Sequence, residues 1–237
     1  MKIQEVISYL ESIAPLDYQD HYDNSGLIIG NLEMKLTSTL ICLDSVEEVI
    51  DEAIENKCNL IIAHHPIIFS GLKRLNGKND IERSIIKAIK NNISIYAIHT
   101  NLDNIKGGVS SKIADVIKLK NQKILAPKMG ILRKLEVYCP KDSVEKVRKS
   151  LFEAGAGAFG AYKHCSFLSS GEGTFIPNED ANPTVGQIGS EERVEEVKIE
   201  VVFPSSIQWH VVESMKISHP YEEVAYQVYI LENIMQE

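Results

Sequence analysis

Two short stretches of the sequence hold side chains that are well suited to binding a metal ion. In IIAHHPIIFS, His64 and His65 follow an apolar run, and in HTNLD, His99 and Asp103 follow another. Imidazole nitrogens bind zinc, iron, nickel and copper, and an added carboxylate suits manganese and the divalent ions that assist hydrolysis. The two stretches therefore predict a divalent-metal site.

Each of these residues also has another interpretation. Adjacent strand residues point to opposite faces, so His64 and His65 would each serve a different ion after the chain turns at Pro66, or both would cap backbone groups in a loop. Asp103 would be a ligand or the N-cap of the next helix. His99 is predicted to assist proton transfer, with a role in holding a ligand in place as the alternative.

Two further polar stretches are interpreted as turns. His219 and Glu223 of HPYEE are four residues apart, which on a helix would direct both to one ion. Pro220 and the alternating VAYQVYIL that follows indicate instead a turn that enters a strand. DNSGLIIG, which begins at Asp23, is interpreted as an ordinary turn, with a polar wall of the metal cleft as the alternative.

The elements that must position the histidines alternate between strand and helix. Strands are predicted at 38–43, 59–63 and 92–98, and helices at 46–57, at 80–90 with Asp80 as N-cap, and near 109–117. This alternation predicts right-handed crossovers and a mostly parallel sheet. Ligands collect at the carboxyl ends of such strands, and both histidine motifs lie at that edge.

A different pattern begins near residue 130. Strands are predicted at 135–139, near 163–168, 172–176 and 195–203, and at 225–231, with helices at 142–154 and near 205–216. Two copies of strand–helix–strand predict a ferredoxin-like α+β unit. The predicted domains are therefore an α/β metal-binding domain at 1–130 and an α+β domain at 131–237.

Composition limits the classes of partner. The 237 residues suffice for two domains, and the net charge of −8 argues against nonspecific binding to nucleic acid or to anionic membranes. No apolar run approaches the roughly 20 residues of a membrane span. The four cysteines form no CxxC pair, so a cytoplasmic protein is expected. A small phosphorylated substrate held by a metal ion stays compatible with the charge.

Three stretches, YDNSGLIIG, LIIAHHPIIF and AIHTNLDNIKGGV, resemble in that order a family of dinuclear-metal proteins, the GTP cyclohydrolase 1 type 2 homologues, also described as similar to a yeast NGG-interacting factor. SSGEGTFIPNEDANPTVGQIG and HPYEEVAYQVYIL resemble the PII-like (CutA-like) domain inserted in longer bacterial members. The resemblance implies two divalent ions (zinc, iron, manganese or nickel) bound by His64, His65 and Asp103. It also implies a ring-shaped homohexamer.

The chain departs from the family pattern at its C-terminal side. The family adds a histidine and a glutamate from a GHxxxE-type motif, and no such motif occurs before Glu237. We therefore expect a fragment or a shortened product, with a more open site and fewer than two ions.

Two functions follow as expectations. The first is a metal-dependent hydrolase in which an ion activates water against a small substrate. The family name suggests a purine nucleotide, although no P-loop GxxxxGK[ST] is present. The second is a regulatory or assembly module, without catalysis, whose PII-like part binds a small effector or a protein partner.

Overall fold

The computed structural model describes residues 1–234, which form two compact units, one of residues 1–124 and one that begins at Leu125. The elements of the first unit are α1 (Ile3–Ile13), β1 (Gly26–Ile29), β2 (Thr39–Cys42), α2 (Glu47–Glu55), β3 (Leu60–Ala63), α3 (Asp80–Lys90), β4 (Ser94–Ala97), α4 (Thr100–Asp103) and α5 (Val109–Val116). The predicted strands and helices of this unit are therefore present; α3 has its predicted bounds, and the others are slightly shorter than predicted.

The sheet of the first unit has the strand order β1-β4-β3-β2. Strands β2, β3 and β4 are parallel, as predicted, and β1 pairs with β4 in the antiparallel direction. The sequence interpretation missed β1, because DNSGLIIG was assigned to a turn. The strand begins at Gly26, directly after the polar part of that motif.

Helices cover both faces of the central strands β3 and β4, whereas Ile41 of the edge strand β2 is 78% exposed. On one face, Leu60 and Tyr96 pack with Ile3 and Ile7 of α1. On the other face, the sheet residues pack against α2 and α3, in a cluster that contains Ile29, Ile50, Ala53, Ile61, Ile85, Ala88 and Ile95. Neighbouring residues of β3 and β4 thus face opposite helix layers, which explains why these strands are continuous apolar runs.

The start of α3 differs from the prediction. Asn79, not Asp80, is the N-cap, and its side-chain oxygen accepts a hydrogen bond from the Glu82 backbone N–H at 2.8 Å. Asp80 is the first helical residue, where a negative charge is favourable beside the helix N-terminus. Adjacent Asn and Asp are both good caps, so the sequence could not decide between them.

The second unit has the topology that the sequence predicted. Its elements are β5 (Leu132–Pro140), α6 (Val144–Glu153), β6 (Phe167–Phe175), β7 (Glu192–Pro204), α7 (Gln208–Ser218) and β8 (Tyr226–Leu231), and its antiparallel sheet has the order β6-β7-β5-β8. This βαββαβ arrangement is ferredoxin-like. The prediction of two strands near 163–168 and 172–176 was wrong, since a single strand, β6, covers only the end of the first range and most of the second.

One face of this second sheet packs against α6 and α7, and its core includes Leu135, Val137, Ile199, Val201, Val147, Leu151, Val211 and Met215. No helix among residues 1–234 has both the length and the apolar character needed to cross a bilayer.

A charged network lies on the opposite face of β5 and β7. The Glu200 carboxylate accepts hydrogen bonds from Lys198 at 2.8 Å and Lys134 at 2.9 Å, and these bonds lower its pKa to about 2. A lowered pKa contributes stability that is present above the ordinary carboxyl pKa and is lost as the pH falls towards 2.

Glu200→Gln is expected to lower the free energy of unfolding at neutral pH by about 1 kcal/mol. The loss should shrink as the solution is acidified, because the wild-type carboxylate then takes up a proton. Urea unfolding followed by circular dichroism at a series of pH values measures both quantities. Glu191→Gln is the matched control, because that carboxylate is 57% exposed and lies 3.4 Å from Arg193. An unchanged pH dependence in Glu200→Gln would contradict the prediction.

Candidate metal centre

The three histidines follow the carboxyl ends of two adjacent parallel strands. His64 and His65 come directly after β3, and their backbone N–H groups donate to the carbonyl oxygens of Cys42 and Leu43 at 3.1 and 2.9 Å. The hydrogen-bonded pairing with the β2 side thus continues past the last residue of β3. His99 occupies the corresponding place after β4, one residue before α4. The predicted meeting of both motifs at one sheet edge is confirmed.

The three imidazole rings lie against one another. Ring centroids are separated by 5.0 Å for His64 and His65, 5.2 Å for His64 and His99, and 5.4 Å for His65 and His99. Each ring offers one nitrogen such that the three nitrogens lie within 4.8 Å of one another. The turn after β3 therefore brings both adjacent histidines to one place, although adjacent strand residues would point apart.

Hydrogen bonds to Nδ1 determine which nitrogen of each ring is free. His64 Nδ1 lies 2.9 Å from the Ile98 carbonyl oxygen, which can only accept, so in the neutral ring Nδ1 carries the proton and Nε2 has the lone pair. His65 Nδ1 lies 2.8 Å from Asp44 Oδ1. Histidine ligands in metal sites are commonly held by such a carbonyl or carboxylate on the second ring nitrogen.

Asp23 makes the corresponding contact with His99. Its Oδ1 lies 2.8 Å from His99 Nδ1, and its side chain is 0% exposed. Burial by itself raises the pKa of Asp23, but hydrogen bonds from Thr100, His99 and Ser25 outweigh burial and hold that pKa well below its usual range. The Asp23 carboxylate is therefore ionised where it meets the imidazole.

Asp103 is the last residue of α4, and its Oδ1 lies 3.9 Å from His64 Nε2. Helix α5 has Gly108 at its N-cap position, so the alternative interpretation of Asp103 as the cap of that helix was wrong. Asp103 as a metal ligand stays a prediction, as does the proton-transfer role of His99.

His219 is a structural residue of the second unit. Its Nδ1 accepts a hydrogen bond from the Tyr221 N–H at 3.1 Å, and its Nε2 therefore donates to the Tyr138 carbonyl oxygen at 2.9 Å. Burial lowers the pKa of His219. Both ring nitrogens are occupied, and HPYEE forms the predicted turn between α7 and β8.

Two carboxylates of the centre, Asp23 and Asp44, escaped the sequence interpretation. Asp23 belongs to the motif assigned to a turn, for which a polar wall of the metal cleft was the alternative. The structure supports that alternative. The distance of 76 residues between Asp23 and His99 leaves no local periodicity to reveal the pair. Asp44 follows β2 and could have been found by applying the strand-end argument to a third parallel strand.

One exposed aromatic side chain, Phe69, lies near His99, and a second, Tyr22, lies near Phe69. Phe69 is 52% exposed, and its ring centroid lies 6.4 Å from that of His99. Tyr22 is 55% exposed and lies 6.4 Å from Phe69. Asn24 Nδ2 donates to the Ile68 carbonyl oxygen at 2.6 Å, which ties the two aromatic segments together.

A search against protein-family models matches residues 1–202 to Duf34/NIF3 (NGG1p interacting factor 3). The chain belongs to the Duf34/NIF3 family. Among curated relatives of this Duf34/NIF3 chain, a GTP cyclohydrolase 1 type 2 homolog of Bacillus subtilis is 44% identical over 235 residues, covering 99% of this chain and 63% of the relative. The homolog of Listeria monocytogenes is 40% identical over 230 residues, covering 96% of this chain and 62% of the relative.

Solved structures agree with this assignment. A Bacillus cereus protein related to NIF3 superposes with a TM-score of 0.77 at 46% identity, over 99% of this chain and 62% of that protein. A Staphylococcus aureus protein superposes with a TM-score of 0.63 at 33% identity, over 99% of this chain and 61% of that protein. The Duf34/NIF3 chain described here thus spans less than two thirds of the length of these relatives.

Proposed function

We propose that this chain is a divalent-metal-binding protein with hydrolase activity, in which His64, His65 and Asp103 hold the metal. The observation that carries the proposal is the convergence of three imidazoles whose Nδ1 atoms each meet an oxygen of the protein. The imidazoles of His64 and His65 suit zinc, iron or nickel, and the Asp103 carboxylate, whose Oδ1 lies 3.9 Å from His64 Nε2, also suits manganese. A bound divalent ion would supply Lewis acidity to the site.

The proposed role of His99 is proton transfer. Because Asp23 contacts His99 Nδ1, His99 Nε2 is the ring nitrogen that can take up a proton. The centroid of the His99 ring lies within 5.4 Å of the centroids of the other two histidine rings. His99→Gln should abolish turnover while the metal content stays unchanged. Loss of the metal from this variant would instead assign His99 as a third nitrogen ligand.

We further propose a nucleotide as the class of substrate. The relatives are named GTP cyclohydrolase 1 type 2 homologs. The exposed ring of Phe69 near His99, with the exposed ring of Tyr22 near Phe69, offers a surface on which a planar base can stack. Phe69→Ala should raise KM for a nucleotide more than it lowers kcat, because stacking contributes mainly to binding.

Elemental analysis followed by a hydrolysis screen, with and without chelator, tests the main proposal. We expect co-purified divalent metal and turnover of a nucleotide that stops when the metal is removed and returns when it is restored. The number of ions per chain distinguishes a mononuclear from a dinuclear centre. A metal-free protein that is inert in every assay would overturn the proposal.

A cavity in the second unit favours a second candidate function, effector binding by a PII-like domain. The cavity has a volume of about 1230 Å³ and is lined by β6, the segment 176–185 and residues of the turn before β8, together with Tyr138, Glu196 and Lys198. If this unit is regulatory, a small effector should bind to the metal-free protein, and Lys198→Ala should weaken that binding.

The proposed assembly is a homo-oligomer, with a hexameric ring as the expectation from family resemblance. Light scattering coupled to size-exclusion chromatography measures the mass of the particle directly. A monomer at all accessible concentrations would refute this proposal and leave the metal site untouched.

A further inference from the structure

We propose that Asp23 is a positioning residue that holds His99 in the tautomer protonated on Nδ1 and thereby keeps the Nε2 lone pair available. The contact between Asp23 Oδ1 and His99 Nδ1 is 2.8 Å long, and the two side chains are 0% and 18% exposed. Water therefore has little access to this pair, and the protein decides which ring nitrogen carries the proton.

The surroundings of Asp23 fix it as an acceptor. Its Oδ1 accepts from the Asn24 backbone N–H at 2.7 Å, and its Oδ2 accepts from the Thr100 backbone N–H at 3.1 Å. The hydroxyl groups of Ser25 and Thr100 also donate to Oδ2. Backbone N–H groups can only donate, so both carboxylate oxygens are committed as acceptors, and the remaining partner, His99 Nδ1, must supply a proton.

Further hydrogen bonds tie residues 20–25, which include the polar start of DNSGLIIG, to the residues after β4. Besides the contacts of Asp23, the His99 backbone N–H donates to Ser25 Oγ at 3.3 Å, and the Asp20 N–H donates to Thr100 Oγ1 at 2.9 Å. Asp23 is thus held against His99 by main-chain bonds on both sides. This second function of the motif, the orientation of an imidazole, was not visible in its sequence.

Asp44 provides an internal comparison. It lies 2.8 Å from His65 Nδ1, the same distance, but its side chain is 53% exposed. Water can replace an exposed carboxylate as the acceptor, so Asp44 should control the tautomer of His65 less strictly than Asp23 controls that of His99.

The experiment is NMR of the imidazole nitrogens of the metal-free protein at a pH where the rings are neutral. In the wild type, His99 should be protonated on Nδ1. In Asp23→Asn, the amide oxygen should take the Oδ2 side, where three donors meet it, and the NH₂ group should face His99 Nδ1 and end the hydrogen bond from the Asn24 N–H. The ring proton should then move to Nε2. Any metal-dependent turnover should fall by about 10- to 100-fold.

Ser25→Ala is the matched control, because it removes one hydrogen bond to the same carboxylate and leaves the acceptor beside His99 Nδ1 intact. It also removes the 3.3 Å contact with the His99 backbone N–H, which keeps Asn101 Oδ1 as its acceptor at 2.9 Å. Its His99 tautomer should equal that of the wild type, as should that of Asp44→Asn. A wild-type ring protonated on Nε2, or an equal tautomer shift in Ser25→Ala and Asp23→Asn, would overturn the proposal. If Asp23→Asn does not fold, the wild-type and Ser25→Ala spectra still decide.

Only the effect on turnover rests on the proposed role of His99. A wild-type protein without hydrolase activity but with the Nδ1-protonated ring would refute the proposed function and leave the positioning role in place. An active hydrolase whose His99 is protonated on Nε2 would refute the positioning role of Asp23 and leave the proposed function in place.

Discussion

His64→Ala is expected to lower the affinity for a divalent metal ion by more than about 100-fold. Loss of a residue that merely orients a ligand typically costs about 10- to 100-fold, and removal of the ligand itself should cost more. The tautomer of His64 is well determined, because its Nδ1 lies 2.9 Å from the Ile98 carbonyl oxygen, which can only accept a hydrogen bond. Isothermal titration of the metal-free protein with zinc and, separately, with manganese measures the change.

His210→Ala is the matched control. His210 lies on α7 in the second unit and is exposed. Its replacement removes one imidazole from the protein without touching the strand ends of the first unit, and metal affinity should equal that of the wild type. An equal loss of affinity in both variants would show that surface histidines bind the added ion and would contradict the assignment of the centre.

Gly30→Ala is expected to destabilise the first unit by about 3 kcal/mol or more, through backbone strain and overpacking together. Gly30 has φ +121°, a conformation that residues with a side chain rarely adopt. A Cβ atom at this position would also lie 2.1 Å from Ser94 Oγ and 2.7 Å from Ser94 Cα. The second clash involves backbone, so no rotation of a side chain relieves it.

Gly30→Ala should also disturb the metal centre, because Gly30 directly follows β1, which pairs with β4, and His99 follows β4. Thermal unfolding followed by circular dichroism measures the loss. Gly107→Ala is the control, since Gly107 also has a positive φ, +83°, but a Cβ there meets no atom within 4 Å. It should cost only about 1 kcal/mol. Equal destabilisation by both changes would show that the contact with Ser94 contributes nothing.

The parallel sheet and the ferredoxin-like unit were predictable because their cause is local. Short, continuous apolar runs identify the buried strands LIIA and SIYA, and apolar periods of three to four residues identify α2 and α3. The alternation of those elements then leaves few topologies. In contrast, β1 was missed because its burial depends on pairing with β4, a strand about 70 residues later in the sequence.

The exact boundaries of some elements were also not predictable from local sequence. The N-cap of α3 and the fusion of two predicted strands into β6 depended on hydrogen bonds that neighbouring residues could have made equally well. A choice between near-equal local alternatives is made by the rest of the fold.

The sequence by itself determined which side chains are available for metal binding and that they lie at adjacent strand ends, because strand direction follows from the βαβ connections. Only the tertiary structure decided that His64, His65 and His99 converge, since the direction of each ring depends on the turn after its strand. It also decided the partners of their Nδ1 atoms. Asp23 and Asp44 come from segments 76 and 21 residues away, and contacts over such distances are set by packing of the whole unit.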